Sequence, residues 1–300
     1  MRPPRRRVHA GTGGVARASG GFAVLRFLAT APAPALRPHV VMYHQSSTVG
    51  DDAHVVSAVP SGRPALVFTL DGRYEAALGS APLASIPGAI VHGQFTTLAR
   101  NRFSCGHQGF LVLLQPTGLL GLLGVPAHEI TDAYAELDTV APREAAGLRE
   151  LADSLREAPD FASRCAIADE VLLRILSGRR RRPPALDVAR RGTARIVEAA
   201  GTTGVDALAS ELAVTPRTLR RHFLEAVGLP PKSFAAVTRF NHVVVGLHAR
   251  PDVDWLDLVH RYGYADQSHL GRDFRRFAGV SPTAYLAAGQ ILDRELNPPR

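Results

Sequence analysis

Lysine is almost missing from this 300-residue chain: Lys232 is the single one among 35 basic residues. Its positive charge is therefore carried by guanidinium, whose planar fork suits phosphate oxygens and base edges. Arginine prevails along the whole length, so composition bias is the first explanation and selection for chemistry the second. Cysteine is scarce too. Cys105 and Cys165 are the only two, which excludes a disulfide scaffold and a cysteine-rich zinc finger and suits a reducing cytoplasm. The longest apolar run, Phe110 to Val125, is broken by Gln115 and Pro116, so no membrane span is expected. No glycine-rich phosphate loop, nucleophile elbow or acid pair stands out. The expectation is a non-enzyme without a cofactor.

What is present is enough apolar sequence for two cores, 46% hydrophobic against 21% charged residues, which is globular composition. The net charge of +8 is unevenly placed. Residues 1–40 carry seven arginines and no acid, residues 41–178 sum to −6, and residues 179–300 sum to +7. A basic leader, a mildly acidic middle and a basic final third suggest a division of labour. A pI near 10.3 permits a nucleic-acid partner without proving one.

Residues 1–30 read as a disordered basic leader. Arg5-Arg6-Arg7 before Phe22-Ala-Val-Leu resembles a secretory signal, but Arg26 breaks the apolar stretch and no clean cleavage site follows. Residues 31–178 form the next unit. Its short apolar runs, around Val40, Ala65, Ile90 and Gly109, are separated by Gly, Pro and Asp clusters, and Asp71-Gly72 signals a hairpin. They predict a β-rich barrel or sandwich. Ala145 to Leu155 and Phe161 to Leu176 have helical spacing, with Asp160 as an N-cap. Residues 179–186, opening Arg179-Arg-Arg-Arg-Pro-Pro, read as a linker.

The final third carries the strongest pattern. Thr193 to Ala200 predicts a short helix. Val205 to Ala213 and then Thr215-Pro216-Arg-Thr-Leu-Arg-Arg-His-Phe223 predict helix, tight turn, helix. Thr215 is a good N-cap, and Pro216 occupies the first helical position, where its missing N–H costs nothing. Leu219 and Phe223 form a buried seam, leaving Arg217, Thr218, Arg220, Arg221 and His222 outside. The design recurs: Asp254 to Tyr262, a turn at Gly263, then Asp266 capping a helix with Leu270, Phe274 and Phe277 as its seam. Gln267, Ser268, His269 and Arg272 lie near the start of that helix, with Arg275 and Arg276 further along. Between the pairs, Lys232 to Ala249 predicts one rod of 18 residues, about 27 Å long. Successive major grooves on one DNA face lie about 34 Å apart, so such a rod can hold two recognition helices over adjacent grooves.

Gly263-Tyr-Ala-Asp-Gln-Ser-His-Leu-Gly-Arg-Asp-Phe-Arg-Arg-Phe-Ala-Gly279-Val-Ser-Pro282, together with Gly228-Leu-Pro-Pro-Lys-Ser-Phe and Arg239-Phe240, closely resembles the DNA-binding domain of AraC/XylS bacterial transcription regulators. The resemblance covers residues 187–288, with 289–300 as a tail. It implies two helix-turn-helix units joined by one long helix. By position it assigns base reading to Arg217, Arg220 and Arg221, with Thr218 beside them, and a second contribution to Gln267, Ser268, His269 and Arg272. Ala213 replaces the usual glycine of the first turn, and Val259 a usual small alanine. Less specifically, Pro60-Ser-Gly-Arg-Pro-Ala-Leu-Val-Phe, Leu114 to Pro126 and Glu129-Ile-Thr-Asp132 resemble an N-terminal regulatory domain fused to such readers.

The expectation is thus an α+β multidomain protein: a cytoplasmic, sequence-specific DNA-binding transcription regulator. An N-terminal small-molecule or partner sensor would modulate it. Arg276, Lys232 and Arg239 are expected on phosphate or near it. Double-stranded DNA is the expected partner, RNA polymerase a further one for an activator, and a homodimer is open. Two other classes stand beside this: a DNA-repair or redox enzyme acting through Cys105, and a nonspecific DNA binder. Cys105, His107 and His92 invite a metal site, though their spacing matches no zinc motif and an inert, buried Cys105 is the plainer reading. Leu119-Leu-Gly-Leu-Leu suits a core helix or a dimer seam. His44, His54 and His128 receive no role.

Overall fold

The computed structural model describes residues 12–17, 24–179, 183–249 and 255–287. Eleven strands, β1 (Thr12–Arg17), β2 (Val24–Thr30), β3 (Val40–Val49), β4 (His54–Ala58), β5 (Ala65–Asp71), β6 (Tyr74–Leu78), β7 (Ala84–Ser85), β8 (Ala89–His92), β9 (Ala99–Phe103), β10 (Gln108–Leu114) and β11 (Tyr134–Glu136), build two antiparallel sheets. The larger has the order β1-β2-β3-β10-β5-β8-β11, the smaller β4-β9-β6-β7. They face each other as a sandwich; neither closes into a barrel. Helices α1 (Leu137–Val140), α2 (Ala145–Glu157) and α3 (Phe161–Ser177) follow.

The large sheet is covered on both faces, which explains its nearly continuous apolar strands. Side chains alternate across a strand, so Leu66 and Phe68 of β5 and Phe110 and Val112 of β10 meet Leu151, Leu155 and Leu172 of α2 and α3. Ala65, Val67 and Leu113 face the small sheet. Asp160 caps α3 as expected, accepting the Ser163 N–H at 2.8 Å.

Two expectations fail here. The Asp71-Gly72 turn joins no hairpin: β5 pairs with β10 and β8, β6 with β9 and β7, so the turn carries the chain from one sheet to the other. Gly72 has φ +73°, and a Cβ there would lie 2.8 Å from the His107 backbone. The disordered leader also fails from Val24, because β2 pairs along β3 and buries Leu25 and Phe27. Alternating Leu25 and Phe27 around the exposed Arg26 is strand periodicity, which the arginine-rich context obscured. Residues 12–17 pair with β2; Arg5, Arg6 and Arg7, the arginines at 180–182 and the tail from residue 288 lie outside the described residues.

The C-terminal unit is all helix: α4 (Pro184–Glu198), α5 (Val205–Glu211), α6 (Pro216–Val227), α7 (Pro231–Ala249), α8 (Trp255–Arg261), α9 (Gln267–Phe277) and α10 (Pro282–Ala287). α4 starts inside the expected linker rather than at Thr193, because Pro184 occupies its first turn, where a proline fits. Its Gly192 lets Phe223 of α6 approach: a Cβ would stand 2.7 Å from that buried ring. Val259 is accommodated, buried in the same core as Leu270 and Phe274. That core also takes in Val59 and Leu120 of the N-terminal unit. The Leu119–Leu123 segment is a single buried π-helical turn, and its seam lies between the two units of one chain.

Ala213, between α5 and α6, has φ +54°. A left-handed residue with a Cβ is strained by about 1–2 kcal/mol, offset in glycine by the entropy of a freer unfolded chain. Ala213→Gly is expected to stabilise the protein by up to about 1 kcal/mol. Gly192→Ala is expected to destabilise it by about 1–3 kcal/mol, since Phe223 has no space to retreat. Urea unfolding of both variants checks the signs.

Candidate nucleic-acid interface and interior cavity

α6 begins where the sequence placed it. Thr215 accepts the Thr218 N–H at 3.1 Å, and Gly228, with φ +86°, ends the helix. Leu219 and Phe223 are fully buried; Arg217, Arg220 and Arg221 are exposed and Thr218 is half-buried. His222 differs from expectation: it is buried and does not belong to the outer face. α9 repeats the arrangement. Asp266 accepts the His269 N–H at 2.6 Å, Leu270, Phe274 and Phe277 are buried, and Gln267, Ser268, Arg272, Arg275 and Arg276 are exposed. His269 is half-buried against Tyr264. The joining helix α7 has 19 residues, about 28 Å, and Lys232 is exposed in its first turn.

The guanidiniums fall into two sets. Arg195 is held by Glu198 and Glu211. Arg239 lies 4.5 Å over the Tyr264 ring and 3.6 Å from Asp273, with only 16% of its side chain exposed. It ties α7 to α9 and is mostly buried, whereas its place on α7 suggests a phosphate contact. Among the described residues, Arg217, Arg220, Arg221, Arg272, Arg275 and Arg276 have no carboxylate within ion-pair distance. A groove of about 730 Å³ runs between the α6 arginines and Pro126 and His128 of the N-terminal unit.

Residues 208–288 match the helix-turn-helix domain family, and residues 29–136 match a family described as a domain of unknown function (DUF6597). Among solved structures, ToxT from Vibrio cholerae O395 aligns over 89% of this chain and 97% of its own, at 10% identity and a TM-score of 0.43. Unsaturated fatty acid bound wild-type ToxT from V. cholerae strain SCE256 aligns over 88% and 94%, at 10% identity and a TM-score of 0.42. The AraC-like transcriptional activator CuxR aligns over 82% and 91%, at 13% identity and a TM-score of 0.32. No curated protein sequence matches the chain. Paired helix-turn-helix units on a shared core define a DNA-binding transcription regulator. Its C-terminal unit holds a helix-turn-helix domain, in keeping with the AraC/XylS resemblance, and is preceded by a separate domain of unknown function at residues 29–136.

Between the two sheets lies a cavity of about 100 Å³. Its walls include His44 and His92, turned inward by strand alternation, and His107, which ends the turn between β9 and β10. The sequence reading passed over His44. A histidine at an inward position of an apolar strand was the available signal, legible only once the register was known. His92 and His107 do not gather with Cys105: no group of three histidine, cysteine or acidic residues among the described ones could hold a metal. Cys105 is exposed, contrary to expectation, on the β9–β10 turn, where its thiol donates to the Gly50 carbonyl at 3.0 Å. Among the described residues, no helix is long and apolar enough to cross a membrane.

Loss of hydration pushes His44, His92 and His107 down to about 4. Between the ordinary histidine value and that level, the unfolded chain binds protons that the folded chain does not. Stability is therefore complete above about pH 6.5 and falls as pH drops toward 4. Going from pH 7 to pH 5 is expected to cost about 2 kcal/mol for each of the three. His44→Leu is expected to remove about a third of that loss. Urea unfolding at the two pH values measures it, and equal stability at both would contradict the burial argument.

Proposed function

We propose that this chain is a cytoplasmic, sequence-specific transcription regulator without enzymatic activity, whose α6 and α9 read adjacent major-groove segments of one DNA duplex. The observation that carries the reading is the clustering of Arg217, Arg220, Arg221 and Arg272, exposed and without a carboxylate partner among the described residues, on two helices whose opposite sides are buried. Arg195, also exposed, is neutralised by Glu198 and Glu211, while Arg26, Arg37 and Arg143 are exposed and unpaired as well; the grouping on two helices is what sets these four apart. Arginine forked onto guanine is the preferred mode of base reading, assisted by Thr218, Gln267, Ser268 and His269. Lys232, Arg275 and Arg276 supply phosphate contacts and hence salt-dependent affinity.

Residues 31–178, extended at the front by β2, act as the sensing part, and residues 187–288, with the start of α4, as the reader. A small molecule in the intersheet cavity is the proposed signal. The support is the loop from Val59 to Arg63, whose residues line the cavity on one side and meet α7 on the other. A Cβ on Gly62 would be 3.3 Å from the Phe234 ring, and Asn241 donates to the Pro60 carbonyl at 3.4 Å. An activator of this design would contact RNA polymerase.

Selection of bound sequences from a random DNA pool at fixed salt is expected to yield two half-sites about ten base pairs apart. Arg220→Ala and Arg272→Ala should each cost about 1–3 kcal/mol on the selected site and relax preference in different half-sites. Arg195→Ala should leave specificity intact. Unchanged preference in the first two variants, or equal affinity for any duplex, would sink the groove assignment.

A further inference from the structure

The intersheet cavity is specific about what it can hold. Rings dominate its walls: Phe27, Tyr74, Phe95, Phe103 and Tyr134 all face it. Several already pack on the histidines, with ring centroids 4.8 Å apart for Phe27–His44, 4.6 Å for Phe103–His107 and 4.7 Å for His92–Phe95. Aromatic side chains of this kind accept another ring edge-to-face or offset. A volume of about 100 Å³ is of the order of the roughly 150 Å³ that suffices for benzene in an apolar protein cavity. One ring, with slight relaxation, is the right scale.

His44 supplies the polar half of the argument. It projects from the middle of β3, is 3% exposed, and neither of its ring nitrogens has a hydrogen-bond partner in the protein. His107, 2% exposed on the same cavity, leaves Nδ1 without one. Unmet hydrogen-bonding capacity at such depth is costly and calls for an occupant that meets it. Burial keeps both imidazoles neutral in the physiological range, so each offers one donor and one acceptor. A hydroxyl, which donates and accepts, complements them. No carboxylate lines the cavity to balance a cation, and the electron-rich ring faces are poor neighbours for an anion. Arg63 is the one charged side chain on the wall.

We propose that this cavity binds a small uncharged phenol, its ring among Phe27, Phe103 and Tyr74 and its hydroxyl on His44. The assignment rests on the reading of the cavity as the sensing site and deepens it by naming the ligand class. Gly109 contributes by having no side chain: a Cβ there would lie 2.9 Å from His107 Nε2, filling the space beside that imidazole.

The test uses the full chain and four probes of one ring each: p-cresol, toluene, benzoate and benzylammonium. Binding is followed by calorimetry and by the imidazole NMR signals. Saturable 1:1 binding of p-cresol at least tenfold tighter than the other three is expected. His44→Leu should bring p-cresol down to the level of toluene while toluene binding persists, which shows the cavity intact; His44→Gln should retain much of the preference. Benzoate binding as tightly as p-cresol would overturn the proposal in favour of Arg63. So would equal binding of p-cresol and toluene, a preference untouched by His44→Leu, or failure of p-cresol to saturate. The regulatory reading is measured separately, as affinity for the selected DNA with and without saturating p-cresol. A p-cresol complex that leaves DNA affinity unchanged would refute the sensing role and leave the ligand class standing.

Discussion

Val59 and Leu120 belong to the sheet unit by sequence and to the helical unit by packing, for they share one buried cluster with Phe223, Phe234 and Val237. This shared core is the constraint on which the rest of the structure depends. Phe223 and Phe234 set the posture of the first helix-turn-helix against α7, and Phe234 also lies against the cavity loop at Gly62. Polar contacts complete the seam: Thr131 donates its hydroxyl to the Gly228 carbonyl at 2.9 Å, at the turn that ends α6. Arg179 pairs with Glu144 at 3.8 Å where the chain leaves the sheet unit. Opening such a seam exposes several large apolar side chains at about 25 cal/mol per Å². The two units are thereby held in a defined relation, although each has a core of its own.

The two helix-turn-helix units were legible in the sequence because their information is local. A threonine or aspartate cap, a proline or glycine at a fixed offset, and an apolar seam at three- and four-residue spacing are all decided within about twenty residues. Ala213 was legible for the same reason, as an alanine where the turn requires positive φ. What escaped was long-range. Whether Asp71-Gly72 closes a hairpin or crosses between sheets depends on which strand β10 selects, 37 residues later by first residue. His44 looked like any strand histidine until the register β2-β3-β10 turned it inward. His222 occupies a helix face bordering the seam, where a few degrees of rotation decide between solvent and core, and tertiary packing leaves it buried.

The arginine excess divides once the fold is known. Arg164 donates to the carbonyls of Leu155 and Ala158 and to Gln45, each at 2.9 Å, and so ties α2 and α3 to β3. Arg239 joins α7 to α9 through Asp273 and the Tyr264 face. Lysine would serve either place poorly, since both use a planar group with several donors or a stackable face. Composition bias alone therefore does not account for all of it. The guanidiniums on α6 and α9 form a cluster without acids, and under the proposed function phosphate is what neutralises them.

The seam also bounds what a signal in the cavity must accomplish. A ligand shifts an equilibrium only by the difference in its affinity for the two states, so one that merely fills space changes nothing downstream. A tenfold change in DNA affinity requires about 1.4 kcal/mol of coupling. Contacts of that size exist where the loop of Val59 to Arg63 meets α7: the Asn241 to Pro60 hydrogen bond, long at 3.4 Å, and the close approach of Gly62 to Phe234. Gly62 has φ +73°, a left-handed turn that lets the loop pass from the cavity wall to α7. A displacement there bears on Phe234 and Val237, in the first turns of the helix that separates the two readers. Under the proposed sensing role, spacing between the two helix-turn-helix units, more than the chemistry of either one, would be the quantity under control, because half-sites on DNA are fixed by the helical repeat.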